Sequence, residues 1–440
     1  MNHILQFLLL LSFIIFIAKL SGALANRFGQ PAVLGEILAG LILGPTLLNF
    51  LHWPVFETPG LTPEVMATYT SFGVKPYIFE YIVEDLAEIG VILLMFVAGM
   101  ETDLKEMKKV GKTAFWVAIG GVILPLLSAM LIAHIFQHSW SQSLFIGAIL
   151  TATSVSISAQ TLMELNQLRS KEGATILGAA VIDDILGIIV LSLVVAFTVK
   201  DGSSGGVMEI PLILFKIVAF FTVAWWLGNR YLEKITEKVL KIPASQVLMA
   251  FVLVVAFIYA FAAEYLGEVA AITGSYIAGV LFAQTKYKER IDRGIHPITY
   301  SLFVPVFFIS IGLRADATKL GNDWFFLLAV IVLAILSKII GCGLGSRMTG
   351  FNTQESLRVG VGMISRGEVG LIVAGYGLSH KIIDENIFSI MVIMVLVTTL
   401  ATPVLLRFVF PSVVEEVETE VYESVAHVED NDEDDESSQS

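Results

Sequence analysis

The sequence predicts an all-α polytopic membrane protein of thirteen transmembrane helices: two inverted six-helix repeats joined by a linker helix, with two of the helices interrupted. Three observations predict it. Apolar residues make up 56% of the chain and charged residues 15%, whereas soluble domains carry about 25% charged residues. Mean hydropathy is +0.80, and apolar runs long enough to span a bilayer recur from end to end. Finally, features of the first half return in the second at a constant offset of 213 residues.

Runs bounded by charge or by Gly and Pro place helices near 4–25, 31–51, 86–101, 114–136, 143–163, 174–199, 211–230, 245–265, 268–285, 298–313, 324–344, 356–379 and 386–410. The first resembles a signal peptide, because Ala23-Leu24-Ala25 mimics a cleavage site. However, Met1-Asn2-His3 lacks a positive flank and the apolar run is too long, so a retained span is expected. An odd number of spans puts the termini on opposite sides. Loops after odd-numbered spans hold seventeen Lys and Arg and the opposite loops five, which predicts an N-terminus outside and a C-terminus in the cytoplasm.

The net charge of −13 comes from the end of the chain. Val414–Ser440 holds twelve acids and no Lys or Arg, and without it 28 acids face 27 bases. The expected organisation is therefore a transmembrane domain over 1–410 and a disordered acidic cytoplasmic tail over 411–440. Within the domain, repeat one covers about 4–199, the linker helix about 211–230 and repeat two about 245–410.

At the offset of 213, Gly99-Met100-Glu101-Thr102-Asp103 overlays Gly312-Leu313-Arg314-Ala315-Asp316, Pro125 overlays Lys338 and Thr153 overlays Arg366. Earlier, Gly35-x-x-x-Ala39-Gly40 recurs as Gly274-x-x-x-Ala278-Gly279, the different offset being absorbed by the loop 52–85. Small residues recur in any membrane bundle because helices pack through them. That habit explains the glycines but not a constant offset with paired Gly…Asp ends. Seven spans separate each pair, so the second half is inserted upside down, the plan of secondary transporters with a site near the midplane.

The chemistry centres on Asp183 and Asp184, adjacent acids with apolar sequence on either side. Insertion of one such group at a helix centre costs about 2.5–3.5 kcal/mol, so two together call for a compensating role. Neighbours on a helix point about 100° apart, so one can face a cavity while the other faces a protein partner. A carboxylate withdrawn from water favours its neutral form and a nearby cation favours the ionised form, which suits a site where protons and a cation compete. Lys338, about fifteen residues inside its span, is the natural partner and can trade its proton when sodium takes the acid; a permanent structural salt bridge is the other reading. Thr151, Thr153 and Ser154 form a hydroxyl-dense stretch, and its counterpart holds Arg366 and Glu368 among glycines. Both stretches read as interrupted helices lining a polar cavity, with Arg366 and Glu368 balancing the half-helix dipoles.

Glu36, Glu88 and Glu264 near span ends, and His134 and His138 near the outer surface, read as structural or solvated groups, and Phe and Leu stripes as contacts with membrane lipid. Cys342 is the single cysteine and reads as packing. The chain has no phosphate-binding loop, metal-ligand cluster or nucleophile triad, so neither an enzyme, a resident cofactor nor a nucleic-acid partner is expected.

These residues resemble the cation:proton antiporter-2 family, the Kef-type and bacterial Na+/H+ exchanger group with the NhaA-like fold. The likeness covers residues 1–410 and rests on Gln30-Pro31-Ala32-Val33-Leu34-Gly35-Glu36, Ala98-Gly99-Met100-Glu101, Thr151–Ser154, Asp183-Asp184, Lys338 and Arg366-Gly367-Glu368-Val369-Gly370. It implies Na+ or Li+ exchange for protons by alternating access, a homodimer through the outer helices of the first half, two broken crossing helices, and an elevator-like core moving against the dimer domain. It also implies that Asp184 binds the cation while Asp183 pairs with Lys338. Kef-type potassium systems usually carry Gln in place of the first Asp and a C-terminal nucleotide-binding domain. Asp183 and the acidic tail place this chain nearer the sodium-exchanging, electrogenic members, in a bacterial inner membrane.

Three other readings share part of the pattern. A K+/H+ antiporter uses the same donors, since carboxylates and hydroxyls coordinate both ions. A cation channel or Na+-coupled symporter can occupy a related fold. An intramembrane aspartyl protease also uses two membrane acids but sets them on separate helices.

Overall fold

The computed structural model describes residues 3–56, 78–102, 104–198, 205–314 and 323–410. Asp103 and Asp316 of the paired Gly…Asp ends, and the tail 411–440, lie outside the described residues, as does the side chain of Glu368. The described residues form an all-helical membrane protein. Its helices are α1 (His3–Arg27), α2 (Ala32–Leu43), α3 (Ile78–Glu101), α4 (Leu104–Ile135), α5 (Trp140–Thr151), α6 (Val155–Glu164), α7 (Lys171–Thr198) and α8 (Gly205–Val239). There follow α9 (Val247–Tyr265), α10 (Ala271–Ala283), α11 (Lys288–Ile298), α12 (Val304–Leu313), α13 (Trp324–Arg347), α14 (Thr353–Gly362), α15 (Glu368–Ser379) and α16 (Glu385–Val409). By length and composition, eight helical stretches among the described residues can cross a membrane; α2, α10 and part of α15 are shorter apolar helices.

Local chemistry explains where the helices start and stop. α5 and α14 begin 213 residues apart, each behind a reciprocal capping box: Ser139 with Gln142, and Asn352 with Glu355. In the second, the Glu355 N–H donates to Asn352 Oδ1 at 2.8 Å and the Asn352 N–H to Glu355 Oε2 at 2.7 Å. Both helices then break: α5 stops at Thr151 with α6 resuming at Val155, and α14 stops at Gly362 with α15 resuming at Glu368.

Several boundaries differ from the sequence reading: α3 begins at Ile78 and not near 86, α4 at Leu104 and not near 114, and α8 covers Gly205–Val239 and not 211–230. α2 stops at Leu43 instead of continuing to 51, because Gly44 turns extended ahead of Pro45 and a residue before proline avoids helical geometry. The charged stretch 288–298, expected as a basic loop, is the surface helix α11, seated through Ile291 and Ile295 one turn apart. Pro297 lacks an N–H for the helical ladder, and the register is reset by a π turn over Thr299–Phe303 before α12.

Close approach at glycine fixes the helix pairs. A Cβ on Gly40 of α2 would strike the Ile309 carbonyl oxygen of α12, and one on Gly279 of α10 would strike the Phe96 carbonyl oxygen of α3. Gly40 and Gly279 are the matched positions of the two Gly-x-x-x-Ala-Gly segments, and each lies against the backbone of a neighbouring helix. α4 and α13 cross where Gly120 and Gly341 each sit against the other's carbonyl.

The apolar cores divide accordingly. One gathers α4, α5, α7, α13, α15 and α16 around Phe145, Val194, Phe326 and Met391. Two others gather α3 with α8–α11 around Phe96, Val252 and Phe282, and α1–α3 with α12 around Leu10, Leu43 and Ile309. A central cluster containing Met95, Val155, Leu177 and Tyr276 joins them.

Candidate ion site

α7 carries Asp183 and Asp184 into the centre of the bundle, where they meet different surroundings. Asp183 is 2% exposed and Lys338 of α13 is fully buried. The ammonium lies 3.2 Å from Asp183 Oδ1 and 3.5 Å from Oδ2. Room for it comes from α4: a Cβ on Gly121 would lie 3.2 Å from Lys338 Nζ. Asp184 points instead to the seam with α10, where Thr273 Oγ1 donates to its Oδ2 at 3.0 Å. Met95, Val155, Leu177 and Tyr276 line a small cavity around that contact.

The two helix breaks are tied to one another. The Ser154 N–H donates to the Ser365 carbonyl at 2.9 Å, and the Ser365 hydroxyl donates back to the Ser154 carbonyl at 2.5 Å. Ser158 adds a bond from its hydroxyl to the Gly362 carbonyl at 2.6 Å. Gly367 is required at this crossing, since a Cβ there would come within 2.6 Å of Ser154 Cβ and Oγ. Backbone groups freed by a break thus find partners inside the protein, the condition for non-helical backbone at membrane depth.

Arg366 is fully buried in the second break. Its guanidinium donates to the carbonyls of Ile364 at 2.7 Å and Met363 at 3.4 Å, just past the end of α14, and to that of Ala334 on α13 at 3.3 Å. It also lies close enough to Asp183 and Lys338 to act on both electrostatically. Asp183, Lys338 and Arg366 therefore form one buried cluster beside Asp184. Glu368 opens α15.

The hydroxyls of the first break have local partners. Thr151 donates to the Ala148 carbonyl at 2.7 Å, Thr153 to the Thr151 carbonyl at 3.5 Å, and the Ser154 and Ser156 hydroxyls lie 3.1 Å apart. Sequence reasoning missed Thr273, and it did not single out Ser158 and Ser365 within the two interrupted stretches that contain them. Thr273 directly precedes the second Gly-x-x-x-Ala-Gly segment, but nothing in one sequence pairs it with an acid 89 residues away. Glu36 is buried, with Lys19 at 3.5 Å as its counter-ion. On α6, the Glu164 carboxylate accepts the Ala32 N–H at 2.8 Å and caps α2 from across the seam. A separate cleft lined by Glu84, Glu88, Ser310 and Arg314 reaches Gly367.

Residues 12–410 match the family described as sodium/hydrogen exchanger, transmembrane. The chain belongs to this family. The exchangers are transporters, not enzymes. The chain is 36% identical over 405 residues to the Na(+)/H(+)-K(+) antiporter GerN of Bacillus cereus, covering 92% of this chain and 96% of that protein. It is 35% identical to a Na(+)/H(+) antiporter of Enterococcus hirae, covering 92% and 98% of the two chains. It is also 35% identical to the high-affinity Na(+)/H(+) antiporter NhaS3 of Synechocystis, covering 92% and 89%. The fold is that of the solved sodium proton antiporter MjNhaP1 of Methanocaldococcus jannaschii, with a TM-score of 0.64, 17% identity and coverage of 92% and 97%.

Proposed function

We propose that this exchanger is a secondary active antiporter that takes Na+ or Li+ in one direction and protons in the other. The observation that carries the proposal is the buried Asp183–Lys338 pair beside Asp184, set next to two interlocked helix breaks. Asp184 holds the cation, and protons compete for the same carboxylate. Asp183 is held by Lys338 until the cation arrives, and the ammonium then gives up its proton. Thr153 and Ser154 supply oxygen at the break, while Thr151, Arg366 and Glu368 steady the half-helix ends. Two protons then leave for each cation, and the cycle is electrogenic.

The supporting architecture is thirteen spans in two inverted repeats, counting α5–α6 and α14–α15 as one span each, the π turn with α12 as the tenth, and α8 as the linker, with α11 lying outside the count. Capping boxes 213 residues apart and the matched glycine contacts favour it. Charge asymmetry of the loops favours an N-terminus outside. The core of α4–α7 and α13–α16 moves as an elevator against the remaining helices, in a homodimer in a bacterial inner membrane.

A second reading, potassium in place of sodium, is favoured by the name of GerN, whose sequence is 36% identical. Purified protein in proteoliposomes with a pH-sensitive dye, challenged with Na+, Li+ and K+ pulses, separates the two. Sodium and lithium pulses move protons under the first reading, and potassium pulses under the second. No proton movement with any of them rejects both.

A further inference from the structure

We propose that the Thr273 hydroxyl is the catch that holds the unloaded ion-site helix α7 against α10, so that the core crosses only when loaded. The proposal rests on the antiport reading above and adds to it what keeps the exchange obligatory.

An antiporter short-circuits if its empty carrier can return. The state to be restrained is therefore the one in which Asp184 is ionised and holds neither proton nor cation. Thr273 touches the carboxylate that distinguishes that state, with its Oγ1 3.0 Å from Asp184 Oδ2. A hydroxyl donated to an ionised carboxylate makes a charge-assisted bond, roughly twice as strong as the same bond to a neutral oxygen. A proton or a cation on Asp184 removes that assistance. The bond is strongest when the carrier is empty and weakest when it is ready to move.

Geometry makes the contact a bridge between two bodies. Thr273 is 3% exposed and lies in the first turn of α10, its N–H bonded to the Ala270 carbonyl at 2.9 Å. α10 is bound tightly to α3: Ser275 Oγ donates to the Ile92 carbonyl at 2.7 Å, the Tyr276 and Thr102 hydroxyls meet at 3.1 Å, and Gly99 and Gly279 bring the backbones together. Asp184 belongs to the other body, with α4, α5 and α13. The walls around the contact include Met95, Val155, Leu177, Val181 and Ile272, an apolar seam in which a hydrogen bond is stronger than in water. Thr273 is thus a positioning residue that acts through Asp184.

The full chain in sodium-free proteoliposomes tests this, with choline as the bulk cation and a lipophilic ion to carry compensating charge. Decay of an imposed pH gradient reads return of the empty carrier. Thr273→Val and Thr273→Ala are expected to dissipate the gradient about ten-fold faster than the unmodified protein, the factor one charge-assisted hydrogen bond supplies. Thr273→Ser is expected to restore tight coupling. Counterflow of isotopic sodium at equal pH, run on the same vesicles, is expected to persist in all three, which shows that they are folded, with KM lowered in the Val and Ala variants because the cation no longer displaces the hydroxyl from Asp184. Tight coupling in Val and Ala variants that still exchange sodium would overturn the proposal. So would a leak in the Ser variant equal to that of Val, or a raised KM without a leak, which would make Thr273 a cation ligand. Absence of sodium counterflow in the unmodified protein would instead reject the sodium antiport reading on which the proposal rests.

Discussion

The Lys338 ammonium stands 3.2 Å from Asp183 Oδ1 with both side chains withdrawn from solvent, while the adjacent Asp184 turns to a hydroxyl on another helix. The two acids share a peptide bond and almost nothing else. A buried pair that loses one partner leaves an uncompensated charge, which typically costs about 3–5 kcal/mol. Lys338→Gln alone is therefore expected to lower the thermal unfolding midpoint strongly, and the double variant Asp183→Asn/Lys338→Gln to recover most of the loss. Additive losses in the double variant, measured by scanning fluorimetry in detergent, would contradict the pairing.

Asp184→Asn removes the carboxylate at nearly constant volume and keeps an acceptor for Thr273. It is expected to abolish sodium-driven proton movement in proteoliposomes while eluting like the parent in size-exclusion chromatography. Exchange at the parental rate would remove Asp184 from the ion site.

Two protons against one cation moves one net charge per turn, worth about 2.3 kcal/mol per 100 mV. Sodium uptake expels the extra positive charge, so an inside-positive diffusion potential at equal pH is expected to speed it and an inside-negative one to slow it. Indifference to voltage would show electroneutral exchange. Voltage sensitivity undiminished in Lys338→Gln would take that amine out of the proton count.

Gly120 and Gly341 allow α4 and α13 to cross in backbone contact. Gly120→Ala is expected to destabilise by about 1–3 kcal/mol, because the methyl meets a fixed carbonyl oxygen. Gly111→Ala, in the same helix with open space around its Cβ position, is the matched control and is expected to be neutral or slightly stabilising. Equal midpoints for both variants would refute the close crossing as the cause.

His138 lies in the turn between α4 and α5, its ring 4.5 Å from that of Phe326. Burial holds its pKa below the usual histidine value, against the pull of Asp384 and Asp323. A lowered folded pKa means that the unfolded chain takes up the proton first. His138 therefore contributes fully above the unfolded value, near pH 6.5, and the contribution falls away as pH drops through the folded one. His138→Gln is expected to flatten the unfolding midpoint between pH 7 and pH 5 relative to the parent. An unchanged slope would show that His138 does not titrate with folding.

Much of this protein is determined by the sequence alone, for reasons that act along the chain. Apolar runs of spanning length demand a membrane, because nothing else hides them from water. Asp183, Asp184 and Lys338 stand out because a charge is costly at such a depth, and that cost is visible without coordinates. The capping boxes at Ser139 and Asn352 are likewise local, since each residue bonds only three positions on.

What the tertiary structure decided depends on partners far apart in the chain. Either acid was free to face Lys338 until α4 brought α13 beside α7 through Gly121. The Thr273 contact and the Ser154–Ser365 lacing arise from helices that meet across 89 and 211 residues, and hydroxyls are too common in membrane helices to announce such bonds. α11 escaped notice because its charged face outweighs the two isoleucines that seat it. Helix character is fixed by neighbours along the chain, whereas the environment of each buried charge is fixed by which helices the close-packed glycines allow to touch.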